Sequence, residues 1–412
     1  MAAISNLAGC SHGGSSVNFG ERRLTFRPTP ALKTRISWPS KNPLAVGHLG
    51  KGHKNSGVRM ALVDEKLARR GDLPKPSDIL AFDLVQGALV KWSSVTDRSL
   101  PEPPTAVFLH GILGCRKNWG TFTRRLAQEF PTWQFLLVDL RCHGDSASIK
   151  KRGPHTVSST ALDVLKLVRQ LRLTPRVLVG HSFGGKVALS MAEQAAKPLA
   201  RPVRVWVLDA TPGKVRPGGD GEDHPEELIS VLSTLPQEIS SKRDVVDVLV
   251  RKGFSKDVAQ WVVTNLRPTG PLGSSPSTFS WVFDLKGISE MYKSYEETNL
   301  WKIVEDVPRG VHVNFLKAER SLHRWALEDL QRIHAAEELA AEEAAGVEMH
   351  VLEDAGHWHI RTAAHVHSSI FRSMQIIQMG SLRFFPLLSS ESKLEAALAW
   401  SYLISSDIAA FY

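Results

Sequence analysis

Continuous apolar runs alternate with segments of helical periodicity along most of this chain. A short apolar run bounded by turn residues is typical of a strand that is buried on both faces. Apolar residues spaced three and four apart instead predict an amphipathic helix. Strands are predicted at 79–86, 88–95, 106–109, 135–138, 176–179, 203–208, 311–316 and 347–352. Helices are predicted at 118–130, 160–171, 185–192, 225–235, 243–252, 257–266, 288–295 and 324–345.

The alternation of strands and helices predicts an α/β fold, with a mostly parallel sheet and helices on both of its faces. The alternation stops after Asp209 and resumes at 311, with helical and aromatic-rich sequence in between. We therefore predict a core formed by 79–211 and 302–358, interrupted by a helical insertion at 212–301. Residues 1–60 are predicted to be a separate leader, and 359–412 an atypical C-terminal tail.

The sequence Gly-His-Ser-Phe-Gly at 180–184 lies between a predicted strand and a predicted helix. A G-x-S-x-G sequence in that setting is typical of a nucleophile elbow, which holds a serine on a strained turn. Such an elbow would raise the Ser182 hydroxyl above the sheet and direct the N–H of Phe183 towards an oxyanion. A chance match in a loop is the alternative, and the flanking strand and helix argue against it.

A serine hydroxyl needs a base within hydrogen-bonding reach. We predict that His357 is this base, because its loop follows the last predicted strand and reaches the same sheet edge as Ser182. Other histidines near this end of the chain are weaker candidates. A zinc site formed by them is not predicted, because no H-E-x-x-H or H-x-x-x-H sequence is present. These histidines are His350, His359, His365 and His367.

A carboxylate must fix the tautomer of the base and stabilise its charged form. Asp209 and Glu319 both follow predicted strands and so reach the same edge of the sheet. We favour Asp209, which is shorter and lies at the tip of its strand. Glu319 remains the alternative acid, although Lys317 and Arg320 flank it and could pair with it at the surface.

An oxyanion hole needs a second N–H donor besides that of Phe183. The sequence His-Gly-Ile-Leu-Gly at 110–114 follows a predicted strand, and its glycines would let the loop pass close to the serine. We predict the N–H of Ile112 as the second donor, with Leu113 as the alternative. Residues 139–146 end another strand at this edge, and we expect them to brace the 110–114 loop.

The net charge of +9 is concentrated at the N-terminus: residues 1–60 hold nine Lys and Arg and one acidic residue, a net of +8, and the remainder carries +1. This distribution argues against nucleic-acid binding. This segment is rich in serine, glycine and arginine and lacks the apolar core of a secretory signal, which is typical of a transit peptide. We therefore predict the chloroplast stroma, with the mitochondrion or a merely disordered tail as alternatives. Three cysteines do not make a disulfide framework, and no apolar run is long enough to span a membrane.

Together these motifs resemble the α/β-hydrolase superfamily, and within it the esterase branch and a plastid-targeted plant-type member. The branch carries H-G-x-x-G, D-x-R-N-H-G-x-S, G-H-S-x-G-G, L-D-x-x-P and G-H-W. The matching segments here are 110–114, 139–146, 180–185, 208–212 and 356–358.

The resemblance implies that Ser182 is the nucleophile, His357 the base and Asp209 the acid, with Ser321 helping to hold the histidine. It also implies that 212–301 forms a helical cap. Cys142 stands where the branch has asparagine, and the branch's G-H-W-V-H is here G-H-W-H-I, followed by 52 further residues.

We therefore expect a serine hydrolase that cleaves a carboxylic ester, or a thioester or amide, of an apolar small molecule or lipid. We expect no cofactor, no metal and no nucleic acid, and peripheral contact with a membrane stays open. A C–C lyase on the same fold and a non-catalytic ligand receptor are the alternatives.

Overall fold

The computed structural model describes residues 79–90, 102–149, 153–194, 203–215, 224–269, 278–321, 325–340 and 346–357, and positions 366, 369–372, 374–375 and 377. The predicted leader at 1–60 and most of the predicted tail at 359–412 lie outside the described residues.

A central sheet contains seven of the nine described strands. The strands are β1 (Phe82–Gln86), β2 (Thr105–Leu109), β3 (Gln134–Val138), β4 (Pro175–His181), β5 (Val203–Leu208), β6 (Leu266–Pro268), β7 (Phe279–Trp281), β8 (Val311–Ala318) and β9 (Gly346–Leu352). Their order in the sheet is β1-β3-β2-β4-β5-β8-β9. Only the β1–β3 pair is antiparallel within this described sheet. The predicted mostly parallel α/β fold is confirmed.

Nine α-helices are described, and most start or end within three residues of the predicted bounds. They are α1 (Gly120–Glu129), α2 (Val157–Gln170), α3 (Phe183–Gln194), α4 (Pro225–Thr234), α5 (Lys242–Arg251), α6 (Lys256–Val262), α7 (Leu285–Glu297), α8 (Trp301–Glu305) and α9 (Leu327–Ala340).

Alternate residues of each central strand enter two different hydrophobic clusters. In β2, Val107 and Leu109 join the cluster that includes α2 and α3, whereas Phe108 joins the cluster that includes α1. Successive side chains of a strand point to opposite faces, so a strand covered on both faces must be apolar throughout. This is why β2 appears in the sequence as an unbroken apolar run, and why helices cover both faces of the sheet.

Helical positions in the tail complete the face of the sheet on which α1 packs. Val366, Ile370 and Met374 are fully buried there, at a spacing of four residues that places them on one side of a helix. The ring of Phe371 lies 4.8 Å from that of Phe130, at the end of α1. Despite its departure from the family pattern, this part of the tail therefore contributes to the hydrophobic core.

The segment between β5 and β8 contains α4 to α8 and, in addition, a short antiparallel pair formed by β6 and β7. The helical insertion expected from the sequence therefore also contains a strand pair that was not predicted. We refer to the described residues 224–269 and 278–297 as the insertion. Among the described residues, no helix has the length and apolarity required to cross a lipid bilayer.

The strand predicted at 88–95 is wrong for the residues that are described. Residues 88–90 form a turn after β1, in which the N–H of Leu89 donates to the carbonyl of Pro131 at 2.8 Å. The Leu89 side chain is exposed, so the apolar sequence there does not reflect burial in a sheet. Residues 91–95 lie outside the described part of the chain.

Candidate active site

Ser182 occupies a tight turn between the end of β4 and the start of α3. Its φ of 52° lies in the left-handed region, which costs free energy for a residue with a side chain. The turn is held because the Ser182 N–H donates to the carbonyl of Leu208 at 2.8 Å. Gly180 allows the close approach, since a Cβ there would lie 2.0 Å from the carbonyl oxygen of Gly184.

Asp209 and His357 are in direct contact at the C-terminal edge of the sheet. Nδ1 of His357 lies 2.6 Å from Oδ2 of Asp209, and both side chains are buried. The position of Asp209 is fixed by strand pairing, because it directly follows β5 and its N–H donates to the carbonyl of Leu316 in β8. A carboxylate is an acceptor, so Nδ1 carries the proton and Nε2 of the neutral ring keeps its lone pair.

Three further donors surround the Asp209 carboxylate. The hydroxyl of Ser321 donates to Oδ2 at 2.6 Å, and the indole N–H of Trp325 and the N–H of Ala318 donate to Oδ1 at 2.9 and 3.1 Å. Burial raises the pKa of Asp209, but the donors His357, Ser321 and Trp325 reverse the effect, so the net pKa lies well below its usual range. The side chain is therefore an ionised, fully hydrogen-bonded carboxylate.

Trp325 was missed by the sequence analysis. The only indication of its role in the sequence is an aromatic residue with an N–H donor, four residues after Ser321 and beyond the end of β8.

His357 lies beside the residue that precedes Ser182. Nε2 of His181 lies 2.9 Å from the carbonyl oxygen of His357, and the two rings are 4.8 Å apart. Because His181 is the last residue of β4, this contact ties the His357 loop to the turn that carries the serine.

The 110–114 loop reaches the same turn from the other side. A Cβ on Gly111 would lie only 3.4 Å from Cβ of Ser182. Within the described chain, no acceptor is found for the N–H of Ile112 or for that of Phe183, which opens α3. The N–H of Leu113 instead donates to Nε2 of His143 at 3.0 Å, so this alternative donor is already engaged.

Glu319, the alternative acid, makes a different contact. Its side chain is exposed, and Oε2 accepts a hydrogen bond from the N–H of Asp354 at 2.8 Å. The rival base His350 lies within β9, where its ring stacks on that of Trp206 at 5.3 Å. The other rivals His359, His365 and His367 lie outside the described residues.

Two buried histidines join the loops at 110–114 and 139–146 reciprocally. Nε2 of His110 accepts from the N–H of Leu140, and Nε2 of His143 accepts from the N–H of Leu113, both at 3.0 Å. Burial and the neighbouring His110 lower the pKa of His143 to about 3, so its ring is neutral as this bond requires. An ion pair between Arg116, two residues after the first loop, and Asp139 in the second adds a further link.

Lys186 links α3 to the last helix of the insertion and to the chain on either side of the insertion. Its fully buried ammonium group donates to the carbonyls of Gly213, Tyr295 and Thr298 at 2.7, 2.6 and 3.1 Å, and lies 4.4 Å from the centre of the Tyr295 ring. Burial lowers the pKa of Lys186 to about 7. This role of Lys186 was not predicted, although a lysine within the apolar run after the elbow is a visible signal in the sequence.

This fold, with its strained serine turn and buried aspartate–histidine pair, is that of an α/β-hydrolase. The chain belongs to the alpha/beta hydrolase family, whose model matches residues 106–366.

The chain is also similar to the sn-1-specific diacylglycerol lipase ABHD11 of Mus musculus, with 30% identity over 162 residues, which is 37% of this chain and 46% of the mouse protein. Its similarity to the Xenopus laevis protein of that name is 30% over 156 residues, 37% and 45% of the two chains. The chain therefore matches about half the length of these relatives.

Two solved structures share the fold at low sequence identity. A marine microorganism esterase aligns with a TM-score of 0.51 and 18% identity, covering 74% of this chain and 99% of the esterase. A hypothetical protein from Pseudomonas aeruginosa PAO1 aligns with a TM-score of 0.50 and 19% identity, covering 74% and 98%.

Proposed function

We propose that the chain is a serine hydrolase that cleaves a carboxylic ester through an acyl-enzyme. Ser182 is the nucleophile, His357 the general base and Asp209 the acid that orients it. The N–H groups of Ile112 and Phe183 form the oxyanion hole. The observation that carries the proposal is the 2.6 Å contact between His357 and Asp209 beside the Ser182 turn, because it leaves Nε2 of His357 ready to accept a proton.

In the first half of the reaction, the Ser182 hydroxyl attacks the ester carbonyl while Nε2 of His357 takes its proton. The two N–H groups stabilise the negative oxygen of the tetrahedral intermediate. His357 then donates the proton to the departing alcohol, and the acyl group stays on Ser182. In the second half, His357 removes a proton from water, which attacks the acyl-enzyme and releases the acid and free Ser182.

For the substrate, we propose an apolar small molecule or lipid. The insertion supports this, because the rings of Trp281 and Phe283 are stacked 6.0 Å apart, and the Phe283 ring meets the His143 ring edge-on at 5.7 Å. Such aromatic surface favours apolar acyl or alcohol groups. The name of the similar ABHD11 proteins, diacylglycerol lipase, points to the same class. In this proposal the insertion acts as a cap, and thioesters or amides are further possible substrates.

A fluorophosphonate probe tests the nucleophile directly. We expect labelling of the folded full-length chain and hydrolysis of p-nitrophenyl esters, both lost in Ser182→Ala, with kcat reduced by about 10⁶-fold. Ser190→Ala is a matched control, because Ser190 is buried in α3, the helix that follows Ser182, and bonds only to Gln194 among the described contacts. A panel of esters with increasing acyl length then defines the substrate class.

Three outcomes would contradict the proposal. Labelling that survives in Ser182→Ala would place the nucleophile elsewhere. A folded chain that neither labels nor hydrolyses esters would be a ligand receptor, and one that labels without hydrolysing any ester would favour a lyase.

We also propose that the basic 1–60 segment directs the chain to the chloroplast. Fusion of this segment to a fluorescent protein in plant cells should give plastid fluorescence, whereas mitochondrial fluorescence would support the alternative.

A further inference from the structure

A cysteine, a histidine and an aspartate from three separate elements meet beside the 139–146 loop. Cys142 lies in that loop, His155 precedes α2, and Asp284 caps the N-terminus of α7 in the insertion. Their ligand atoms all lie within 4.8 Å of one another, and Sγ of Cys142 is 3.4 Å from Nδ1 of His155. A separation of about 3.5 Å between sulfur and nitrogen is what two ligands of one tetrahedral zinc ion require.

The backbone around the cluster is arranged to bring these side chains together. The N–H of Asp284 donates to the carbonyl of Cys142 at 2.9 Å, and Oδ1 of Asp284 accepts from the N–H of Gly287 at 3.1 Å. A Cβ on Gly287 would lie 2.4 Å from Sγ of Cys142 and 2.9 Å from Oδ2 of Asp284. Only glycine therefore leaves room at this point for the thiol and for Oδ2 of Asp284.

We propose that Cys142, His155 and Asp284 bind a divalent transition-metal ion of the zinc class. Sulfur, imidazole nitrogen and carboxylate oxygen together suit zinc, whereas magnesium and calcium prefer oxygen ligands alone. A thiolate and a carboxylate carry two negative charges, which one divalent ion neutralises. The thiol proton is released to solvent as the metal–sulfur bond forms, and water completes the tetrahedron.

No metal site was predicted from the sequence, because the chain has no H-E-x-x-H or H-x-x-x-H pattern. Here the ligands are 13 and 129 residues apart, and only the fold brings them together. The ion would join α7 of the insertion to the loop that carries His143, whose ring receives the Leu113 N–H. Binding would therefore stabilise the contact between the insertion and the core, independently of any hydrolytic activity.

Cobalt is a suitable probe, because Co²⁺ bound to a thiolate has a sulfur-to-metal charge-transfer band in the near ultraviolet. We expect metal-free, tag-free full-length protein to take up one Co²⁺ per chain with this band, and Zn²⁺ to displace it. Cys142→Ser should abolish the band and weaken Zn²⁺ binding more than about 100-fold, because even the loss of an outer-shell partner costs 10–100-fold.

Two further variants keep the test decisive. Cys115→Ser removes the other described free cysteine, outside the cluster, and should bind Co²⁺ like the wild type. Asp284→Asn keeps a side chain able to cap α7, so this variant should fold. We expect it to bind Co²⁺ more weakly than the wild type but to keep the charge-transfer band, because Cys142 is still present. Absence of the band with excess Co²⁺ in the wild type, or its persistence in Cys142→Ser, would overturn the proposal.

Discussion

The sheet edge and the insertion position their side chains by different means. At the sheet edge, Ser182 and Asp209 directly follow neighbouring parallel strands, and both have left-handed backbones held by strand-to-strand hydrogen bonds. The insertion contacts this edge through separate polar groups instead, among them Lys186 and Asn265. The sheet therefore fixes the geometry of the candidate triad, while the position of the insertion depends on a few individual contacts.

After the nucleophile itself, the largest loss of activity should come from the carboxylate of Asp209 at the sheet edge. Asp209→Asn should reduce kcat for ester hydrolysis by about 10⁴-fold, because an amide can donate to Nδ1 of His357 and favour the wrong tautomer. Steady-state kinetics with a p-nitrophenyl ester would measure this loss.

Glu319→Gln is the matched control, since Glu319 is the alternative acid and also follows a strand at this edge. Its side chain is exposed, so kcat should change by no more than about twofold. A large loss in Glu319→Gln with a small one in Asp209→Asn would reverse the assignment of the acid.

The next largest effect, on stability, should come from Lys186, which connects the insertion to the core. Lys186→Met keeps the length of the side chain but leaves three carbonyls without their donor, and the contacts to Gly213 and Tyr295 are fully buried. At 1–3 kcal/mol for each such group, we expect the free energy of unfolding to fall by roughly 3 kcal/mol or more. Urea denaturation would measure this fall, and hydrogen exchange should accelerate in α7.

Lys214 offers a control in the same region, because its ammonium group pairs with Glu297 at 2.7 Å but both side chains are exposed. Lys214→Met should cost less than about 1 kcal/mol. Equal losses in the two variants would show that the buried lysine does not fix the insertion.

Acid sensitivity should reveal the histidine link within the core. The ordinary pKa of histidine, 6.5, applies to His143 in the unfolded chain, and burial lowers it to about 3 in the folded chain. Between these two values the unfolded chain therefore binds a proton that the folded chain excludes. Its contribution to stability is complete above pH 6.5 and is lost as the pH falls towards 3, by up to about 1.4 kcal/mol per pH unit. Urea denaturation at several pH values should show that the free energy of unfolding depends less steeply on pH in His143→Gln than in the wild type. Identical slopes in the two proteins would contradict the prediction.

The sequence predicted the parts of the site that depend on strand ends. Ser182, Asp209 and His357 could be placed at one edge because parallel strands share the same direction, and long apolar runs identify such strands. Lys186 and Trp325 could not be assigned their contacts, because nothing in local periodicity specifies which distant carbonyl or carboxylate a donor will meet. The β6–β7 pair was missed because each strand has only three residues, too few to show a period, and β6 ends at Pro268.

The smallest expected effect on kcat concerns two side chains by which the insertion contacts the core, one buried and one exposed. Asn265 is buried, and its Nδ2 donates to the carbonyl of Leu113 at 3.2 Å, next to the proposed oxyanion donor Ile112. Asn265→Ala should shift the 110–114 loop and reduce kcat about fivefold, equivalent to about 1 kcal/mol. Arg267→Gln, which breaks an exposed ion pair with Asp145, should leave kcat within about twofold. If Asn265→Ala lowers stability while kcat is unchanged, the insertion packs against the loop without positioning it for catalysis.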